Sequence, residues 1–427
     1  MNSELLEYIR RSPTPYHACE TTAKMLKSAG YVEVYEGEKW DIIGGGKYFV
    51  RRNGSSIIAF RAPENELCGF MITASHSDSP GFKIKENATL SDGAYTRLSS
   101  ETYGGAIYSS WLDRPLSVAG RVVVRSDEGI EIKLVDTVEP CAIIPNVAIH
   151  MNRQINSGYV YNASVDLVPL FDVADAKESF KQMIARLADI DENDIISSDL
   201  YLYNGQSGAE LGGLICSPRL DDLQCAFATL RGFIDASETR STPVWALFDN
   251  EEVGSSTKQG AASTFLCDTL ERIAASVGAD KEDYKTAIAN GLMLSCDNAH
   301  AIHPNHPEYA DKNHTSKLNG GIVIKYNANQ KYTTDAVSAG IFKLICERAD
   351  APVQTYANRA DMPGGSTLGN ISTSQVSINT VDIGLAQLAM HSSYETAGAR
   401  DTEYMARAVK SFYSSTIKMT EVGYKLV

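Results

Sequence analysis

Hydrophobic positions along this chain follow two rhythms, one helical and one of strands, and the points of change mark its organisation. Leu5, Leu6 and Ile9 share one face and predict a helix over 4–11. Ser12-Pro13-Thr14-Pro15 stops it and starts a second helix, which carries Ala18, Ala23, Met25 and Leu26. Tyr48–Val50 and Ser56–Phe60 read as strands around the turn Arg52-Asn53-Gly54-Ser55. The run Gly69–Ala74 reads as a buried strand entering the loop Ser75-His76-Ser77-Asp78-Ser79-Pro80. From about 85 to 215 short β-like pieces dominate, at 117–125, 130–135 and 142–151, with one helix over 174–187. Alternation of strands and helices then resumes. Strands are expected at 244–248, 291–296, 321–326 and 377–382, and helices at 220–237, 261–277, 335–349 and 401–419. This order predicts a mixed-sheet α/β domain, at 1–87 and 211–427, interrupted by a smaller β-rich domain at 88–210.

Composition narrows the classes. A chain of 427 residues, 43% hydrophobic, is long enough for two domains with real cores. Its net charge of −14 argues against nucleic acid or an anionic membrane as a partner. An acidic substrate would need a local basic site. The cysteines at 19, 68, 141, 216, 225, 267, 296 and 346 form no Cys-x-x-Cys pair. Neither a zinc ribbon nor a thioredoxin motif is indicated, and reduced core thiols are expected. Met1–Ile9 lacks the basic flank and apolar core of a signal peptide, and no stretch is apolar enough to span a bilayer. A cytoplasmic protein is the expectation.

The chemistry gathers where strands end. Val244-Trp245-Ala246-Leu247-Phe248 runs into Asp249-Asn250-Glu251-Glu252-Val253-Gly254-Ser255. Open α/β sheets place ligands beyond the carboxyl ends of their strands. Neighbours in extended chain point to opposite sides, so the two glutamates can divide two roles, one on a metal and one on a proton. Alone, such a pair is more often a solvated acidic turn. Candidate ligands recur in the same kind of place, His76 after one strand and Asp297 after another. Asp221 opens a helix, where it can also be only an N-cap, and His391 lies in a turn past Asp382. A histidine such as His76 is more often simply hydrogen-bonded. Taken together, the set suits zinc or a similar divalent ion. Two-metal hydrolases hold their ions about 3.5–4 Å apart, so one aspartate would have to bridge them. Spacing leaves open which glutamate does which, and which reaction results.

Ordered motifs run the length of the chain. They are Ser12-Pro13-Thr14-Pro15-Tyr16-His17-Ala18, Ser75–Pro80, Ser217-Pro218-Arg219-Leu220-Asp221-Asp222-Leu223, Asp249–Ser255, Asp297-Asn298-Ala299-His300-Ala301-Ile302-His303-Pro304-Asn305 and Gln387-Leu388-Ala389-Met390-His391-Ser392. With these, the chain resembles the aspartyl aminopeptidase family of two-metal peptidases. The resemblance implies that the interrupted α/β domain is a metallopeptidase domain and that the β-rich insert serves dimerisation. It further implies a homo-oligomer, a tetrahedral dodecamer built from dimers, with sites facing an inner chamber. Asp221 would bridge two divalent ions per subunit, Zn2+ first, with Mn2+ and Co2+ sharing the ligand set. His76 and Asp297 would complete one ion's site, and Glu252 and His391 the other's. Glu251 would be the general base, with Asp78 orienting His76. Lys325 and Tyr332 match substrate-contacting positions. His150 matches a histidine that reaches a neighbouring subunit's site.

The activity implied is removal of N-terminal Asp or Glu from peptide substrates by a two-metal-activated hydroxide. Read by itself, Lys325 is a cation at a strand end, and its plainer reading is a snorkelling surface lysine. His300, with His303, His306 and His314, is read as part of a substrate-side loop rather than a separate zinc site. Gly44-Gly45-Gly46-Lys47 lacks phosphate-loop spacing, and Ser392-Ser393 lacks a nucleophile elbow. The chain departs from the family at Asp222, where asparagine is common, and at Gly364, where cysteine is usual. Tyr394 stands where arginine is frequent. These departures bear on the substrate-facing loops, not on the proposed ligands. The alternatives are the same chemistry with a neutral or basic N-terminal preference, another amide hydrolase, and a non-catalytic oligomeric scaffold.

Overall fold

Every position of the central strands is buried, and this is what a sheet covered on both faces requires. In the computed structural model, which describes every residue except 176 and 238, Phe70–His76, Thr242–Phe248 and Leu292–Cys296 are buried along their whole length. They run parallel and adjacent, Val244 beside Ile72 and Leu294 beside Thr73. Alternate side chains leave on opposite faces. Met71, Trp245, Leu247 and Leu294 join one core, while Ile72, Val244, Ala246 and Phe248 join the other. Helices Pro15–Ser28, Leu220–Asp235, Ala336–Arg348 and Asp401–Tyr413 cover the first face with Leu26, Phe233, Phe342 and Phe412. Phe265–Ser276 and Lys281–Ala289 cover the second with Phe265, Leu270 and Tyr284. Thr380–Leu388 lies parallel to Leu292–Cys296, and antiparallel strands extend the sheet on either side. The mixed α/β class read from the sequence is the one observed.

One polar side chain ties this core together. The Tyr413 hydroxyl donates to the Val244 carbonyl at 2.8 Å and accepts the Thr73 N–H at 3.1 Å. Tyr413→Phe leaves both backbone groups short of a partner in a dry site. It should cost about 1–3 kcal/mol, read as a lower midpoint in urea unfolding. An unchanged midpoint would show that the hydroxyl is redundant.

The chain divides into two units. One comprises Met1–Asp78, Gly208–Met390 and Glu395–Val427; the other comprises Ser79–Ser207 and His391–Tyr394. In the second unit Ile195–Tyr203 pairs with Gly81–Ser91 and also with Pro115–Ser126. Further pairings through Tyr95–Tyr103, Leu170–Val173 and Ala142–Ile143 close the ring into a small barrel. Phe82, Leu98, Val118, Val122 and Leu200 fill it. Gly120 permits the closure, since a Cβ there would lie 2.0 Å from the Asp199 carbonyl oxygen.

Several element boundaries differ from the sequence reading, each for a local reason. The strand expected over 142–151 is only Ala142–Ile143. Pro145 removes a ladder donor, and the Asp113 carboxylate takes the Asn146 N–H at 2.8 Å. The helix expected over 174–187 runs from Phe180 to Ala188, set by a Ser179–Gln182 capping box; residue 176 of that expectation lies outside the described residues. The last helix ends at Tyr413, where the Ser414 and Ser415 hydroxyls donate to the carbonyls four residues back. Ile417–Thr420 and Gly423–Leu426 then form a hairpin. The strand expected at 377–382 runs instead over Thr380–Leu388. All eight cysteines are free thiols. Among the described residues no helix is long and apolar enough to cross a membrane.

Candidate active site

Parallel neighbours end on the same edge of a sheet, and three of them end here. His76 closes one strand, Phe248 beside it closes the next, and Cys296 closes the third. The residues just beyond are Asp78, the Glu251–Glu252 pair and Asp297. Pairing continues past the first strand, with the Ser77 N–H donating to the Phe248 carbonyl at 2.8 Å. After Phe248 the chain makes a single turn, Glu251–Val253, between Asn250 at φ +64° and Gly254 at φ +95°. Asparagine tolerates this left-handed conformation better than most residues. Its side-chain oxygen accepts from Thr257 at 2.9 Å and Gln259 at 2.8 Å.

Asp78 fastens the two loops to each other. Its Oδ1 accepts the Glu251 N–H and its Oδ2 accepts the Glu252 N–H, each at 3.1 Å. Oδ1 also lies 3.4 Å from His76 Nδ1, while the Asp78 carbonyl oxygen is 3.0 Å from the same nitrogen. One buried carboxylate therefore sets the backbone of both glutamates and faces the imidazole. Asp78→Asn replaces one acceptor with a donor that opposes an N–H. Partners of this kind are worth about 10–100-fold in metal affinity or activity, and kcat/KM should fall by that order with part of the bound metal lost. Wild-type kinetics and metal content would remove Asp78 from this role.

The ligating atoms converge on Asp221. His76 Nε2 is 3.3 Å from Asp221 Oδ1 and 3.8 Å from Asp297 Oδ1. Asp221 begins the Leu220–Asp235 helix in non-helical conformation, and the Glu395 carboxylate accepts its N–H at 3.0 Å. Two groups bring ligating atoms within 4.8 Å of one another: His76, Asp221 and Glu252, and Asp221, Asp222 and Asp297. Asp221 belongs to both. Gly384 lets the Thr380–Leu388 strand lie against this edge, since a Cβ there would sit 1.9 Å from the Asp297 carbonyl oxygen.

Crowding of buried carboxylates dominates the electrostatics. Burial raises Glu252 well above the usual carboxylate range, and Asp221 adds to it. Burial likewise raises Asp222, against the pull of His76. Burial pushes Glu251 up to about 8; His76 opposes, and Asp297, Asp78 and Asp221 reinforce. For His76, burial disfavours the charge, but Asp221, Asp297 and Asp78 outweigh it and raise the imidazole well above its ordinary value. Asp297 is held low, because Lys325 and His76 overcome its burial. A cluster of this kind calls for positive charge at its centre. Its imidazole and carboxylate donors fit a divalent ion such as zinc.

Lys325 is not a surface lysine. It is 2% exposed. Its ammonium donates to Asp297 at 3.2 Å and to the Asn298 carbonyl at 2.8 Å. Tyr332 is buried, its ring centre 5.5 Å from Lys325 Nζ. Tyr356 lies 6.5 Å from Tyr332 and 5.9 Å from the ring of exposed His300. The structure thus brings together His76, Asp78, Asp221, Glu251, Glu252, Asp297, Lys325 and Tyr332, all in the first unit. His150 and His391 belong to the second unit. His150 is exposed in a turn. His391 has φ +68°, and its Nδ1 is 3.0 Å from the Gly105 carbonyl oxygen. Among the described residues, His303, His306 and His314 enter neither ligand group. The sequence reading passed over Asp222 and Glu395 as parts of the site. Asp222 is buried and accepts the His76 N–H at 3.1 Å, and its signal was the doubled aspartate. Glu395 gave none.

A mixed α/β sheet with buried histidine and carboxylates at its strand ends is the architecture of a metal-dependent hydrolase. Residues 8–413 match the family described as aminopeptidase I zinc metalloprotease (M18). The chain belongs to this M18 family and is a metallo-aminopeptidase. It is 44% identical over 424 residues to the probable M18 family aminopeptidase 2 of Clostridium novyi strain NT, covering 96% of this chain and 98% of that one. A 43% identical relative from Clostridium acetobutylicum carries the same description, covering 96% of this chain and 98% of its own. Among solved structures, the Ape4 and Nbr1 complex matches with TM-score 0.93 and 33% identity, over 97% of this chain and 85% of that one. The S. cerevisiae mApe1 dodecamer matches at 0.85 and 29%, over 96% of each chain.

Proposed function

We propose that the enzyme removes acidic residues from the N-termini of peptides, using two divalent ions, zinc foremost, with Glu251 as general base. The observation that carries the reading is the His76–Asp221–Glu252 donor group with Glu251 adjacent in sequence and held by Asp78. By the family resemblance, Asp221 would be shared by the two ions, His76 and Asp297 would hold one, and Glu252 and His391 would hold the other. Divalent ions bound here would polarise a carbonyl and acidify water. Glu251 takes the proton of the attacking water and returns it to the leaving amine. Asp78 keeps that carboxylate in place through the backbone.

The acidic preference rests on Lys325. An ammonium has three donors, and Asp297 and the Asn298 carbonyl take two. The third serves a substrate carboxylate beside Tyr332 and His300. A panel of aminoacyl-anilides tests this. Asp and Glu should exceed Leu and Arg in kcat/KM by at least about tenfold, roughly 1.4 kcal/mol of discrimination. A flat panel, or one favouring Leu or Arg, would transfer the reading to the neutral or basic alternative.

Likeness to the mApe1 dodecamer supports a homo-oligomer; the family resemblance adds the tetrahedral dodecamer in the cytoplasm, with the barrel unit serving dimerisation and His150 reaching a neighbouring subunit's site. Light scattering on the purified protein gives its mass directly, and a monomer would remove this part.

A further inference from the structure

Asp382 is a fully buried carboxylate with no part in the chemistry above. It lies in the Thr380–Leu388 strand, opposite Ser295 of the strand that ends at Cys296. Its two oxygens face different segments. Oδ2 accepts the Thr333 N–H at 2.6 Å and the Thr333 hydroxyl at 2.7 Å. Oδ1 accepts the Thr367 hydroxyl at 2.5 Å. The Asp382 N–H donates in turn to Thr334 Oγ1 at 2.9 Å. Gly369 makes room for this arrangement, because a Cβ there would lie 2.8 Å from both carboxylate oxygens.

The segments it grips matter. Thr333 follows Tyr332, whose ring lies against the Lys325 ammonium, and that ammonium is bonded to Asp297. Between strand Ile322–Tyr326 and helix Ala336–Arg348 the chain is irregular. Asp382 fixes its middle to the sheet with three hydrogen bonds. Thr367 ends the Pro363–Thr367 stretch, so the same carboxylate anchors a second loop.

We propose that Asp382 is a positioning residue for substrate recognition, setting where Tyr332 stands relative to Lys325 by clamping the Thr333–Thr334 segment and the Thr367 loop. It touches no substrate itself. The inference rests on the reading of Lys325 and Tyr332 as the wall for the substrate's side chain. Such a wall has to be held to within about 0.5 Å by its supporting residues, and since Tyr332 and Lys325 face the substrate's side chain and not the scissile bond, its misplacement weakens binding of that side chain.

The test uses the full-length, zinc-loaded enzyme and aspartyl- and leucyl-anilides. In Asp382→Asn and Thr333→Val the KM for the aspartyl anilide should rise about tenfold, with kcat within about threefold of wild type. Zinc content should be unchanged, and Thr333→Ser, which keeps the hydroxyl, should retain the wild-type KM. A merely structural role would lower the unfolding midpoint without separating KM from kcat. Should Asp382→Asn fail to fold, Thr333→Val and Thr367→Val carry the same test. A wild-type KM in these folded variants, or a loss confined to kcat, overturns the assignment of Asp382. A wild-type enzyme with no preference for the aspartyl anilide would instead overturn the reading of Lys325 and Tyr332.

Discussion

Glu251→Gln should lower kcat by about 10²–10⁴-fold, the usual worth of a general base, while bound metal stays at the wild-type level. The substitution keeps size and shape and removes only the ability to take a proton. The backbone at this position does not depend on the side chain, because Asp78 holds the Glu251 N–H. In the metal-free protein, burial and the neighbouring carboxylates push Glu251 up to about 8, against His76. The companion variant Glu252→Gln should differ in kind. Glu252 lies in the donor group with His76 and Asp221, so its loss should appear first as lost metal. Metal analysis beside steady-state kinetics separates the two. Normal turnover in Glu251→Gln, or metal loss in that variant and not in Glu252→Gln, would reverse the division of the pair.

Removing the metal with a chelator should abolish activity and destabilise the fold, most of all at higher pH. An ion that binds only the native protein, at a hundred times its dissociation constant, contributes about 2.7 kcal/mol. The sign of the pH dependence follows from the shifts. Glu252, Asp222 and Glu251 are raised by burial in the folded protein, so the native state holds protons that the unfolded chain has released. His76 is raised too, against its burial, by Asp221, Asp297 and Asp78, and adds in the same direction. Stability of the metal-free protein is therefore lost as pH rises from the usual carboxylate range through neutrality. Within the cluster Asp297 is lowered instead, and its window lies in strong acid. Differential scanning fluorimetry should show the chelated protein melting lower at pH 8 than at pH 6, with a smaller difference once zinc is restored. Equal midpoints with and without chelator would mean that the cluster does not depend on a cation.

Much of this site is legible in the sequence, because apolar runs mark the strands and the polar residues after them mark the edge. Val244–Phe248 and the Glu251–Glu252 pair are the clearest case. The Phe70–His76 strand was read as ending at Ala74, because Ser75 and His76 are polar. It runs on through His76, and those polar residues are buried because the site needs them there. The Thr380–Leu388 strand was misplaced for a related reason. Asp382 and Gly384 look like interruptions, yet the aspartate anchors loops and the glycine admits the Asp297 backbone. For Lys325 the plainer reading, a solvated lysine at a strand end, does not hold, and only the fold reveals Asp297 beside it. No rule of periodicity could have shown that Asp78 reaches two consecutive amides, because that contact spans |i−j| of 173 and 174.

The order in which the chain is made has a consequence for the cell. Strand Phe70–His76 and Asp78 emerge from the ribosome before Ser79–Ser207, and the strand's two flanking partners, at Thr242–Phe248 and Leu292–Cys296, emerge after it. At about 5–20 residues per second, synthesis leaves that strand unflanked on both sides for roughly ten to thirty seconds. During that wait the barrel, with its own core, can fold. The apolar, uncharged Phe-Met-Ile-Thr-Ala-Ser strand cannot, and with two open edges it is a template for wrong pairing. Nascent chains of this enzyme should therefore depend on chaperone shielding of residues 70–76 until translation passes Cys296.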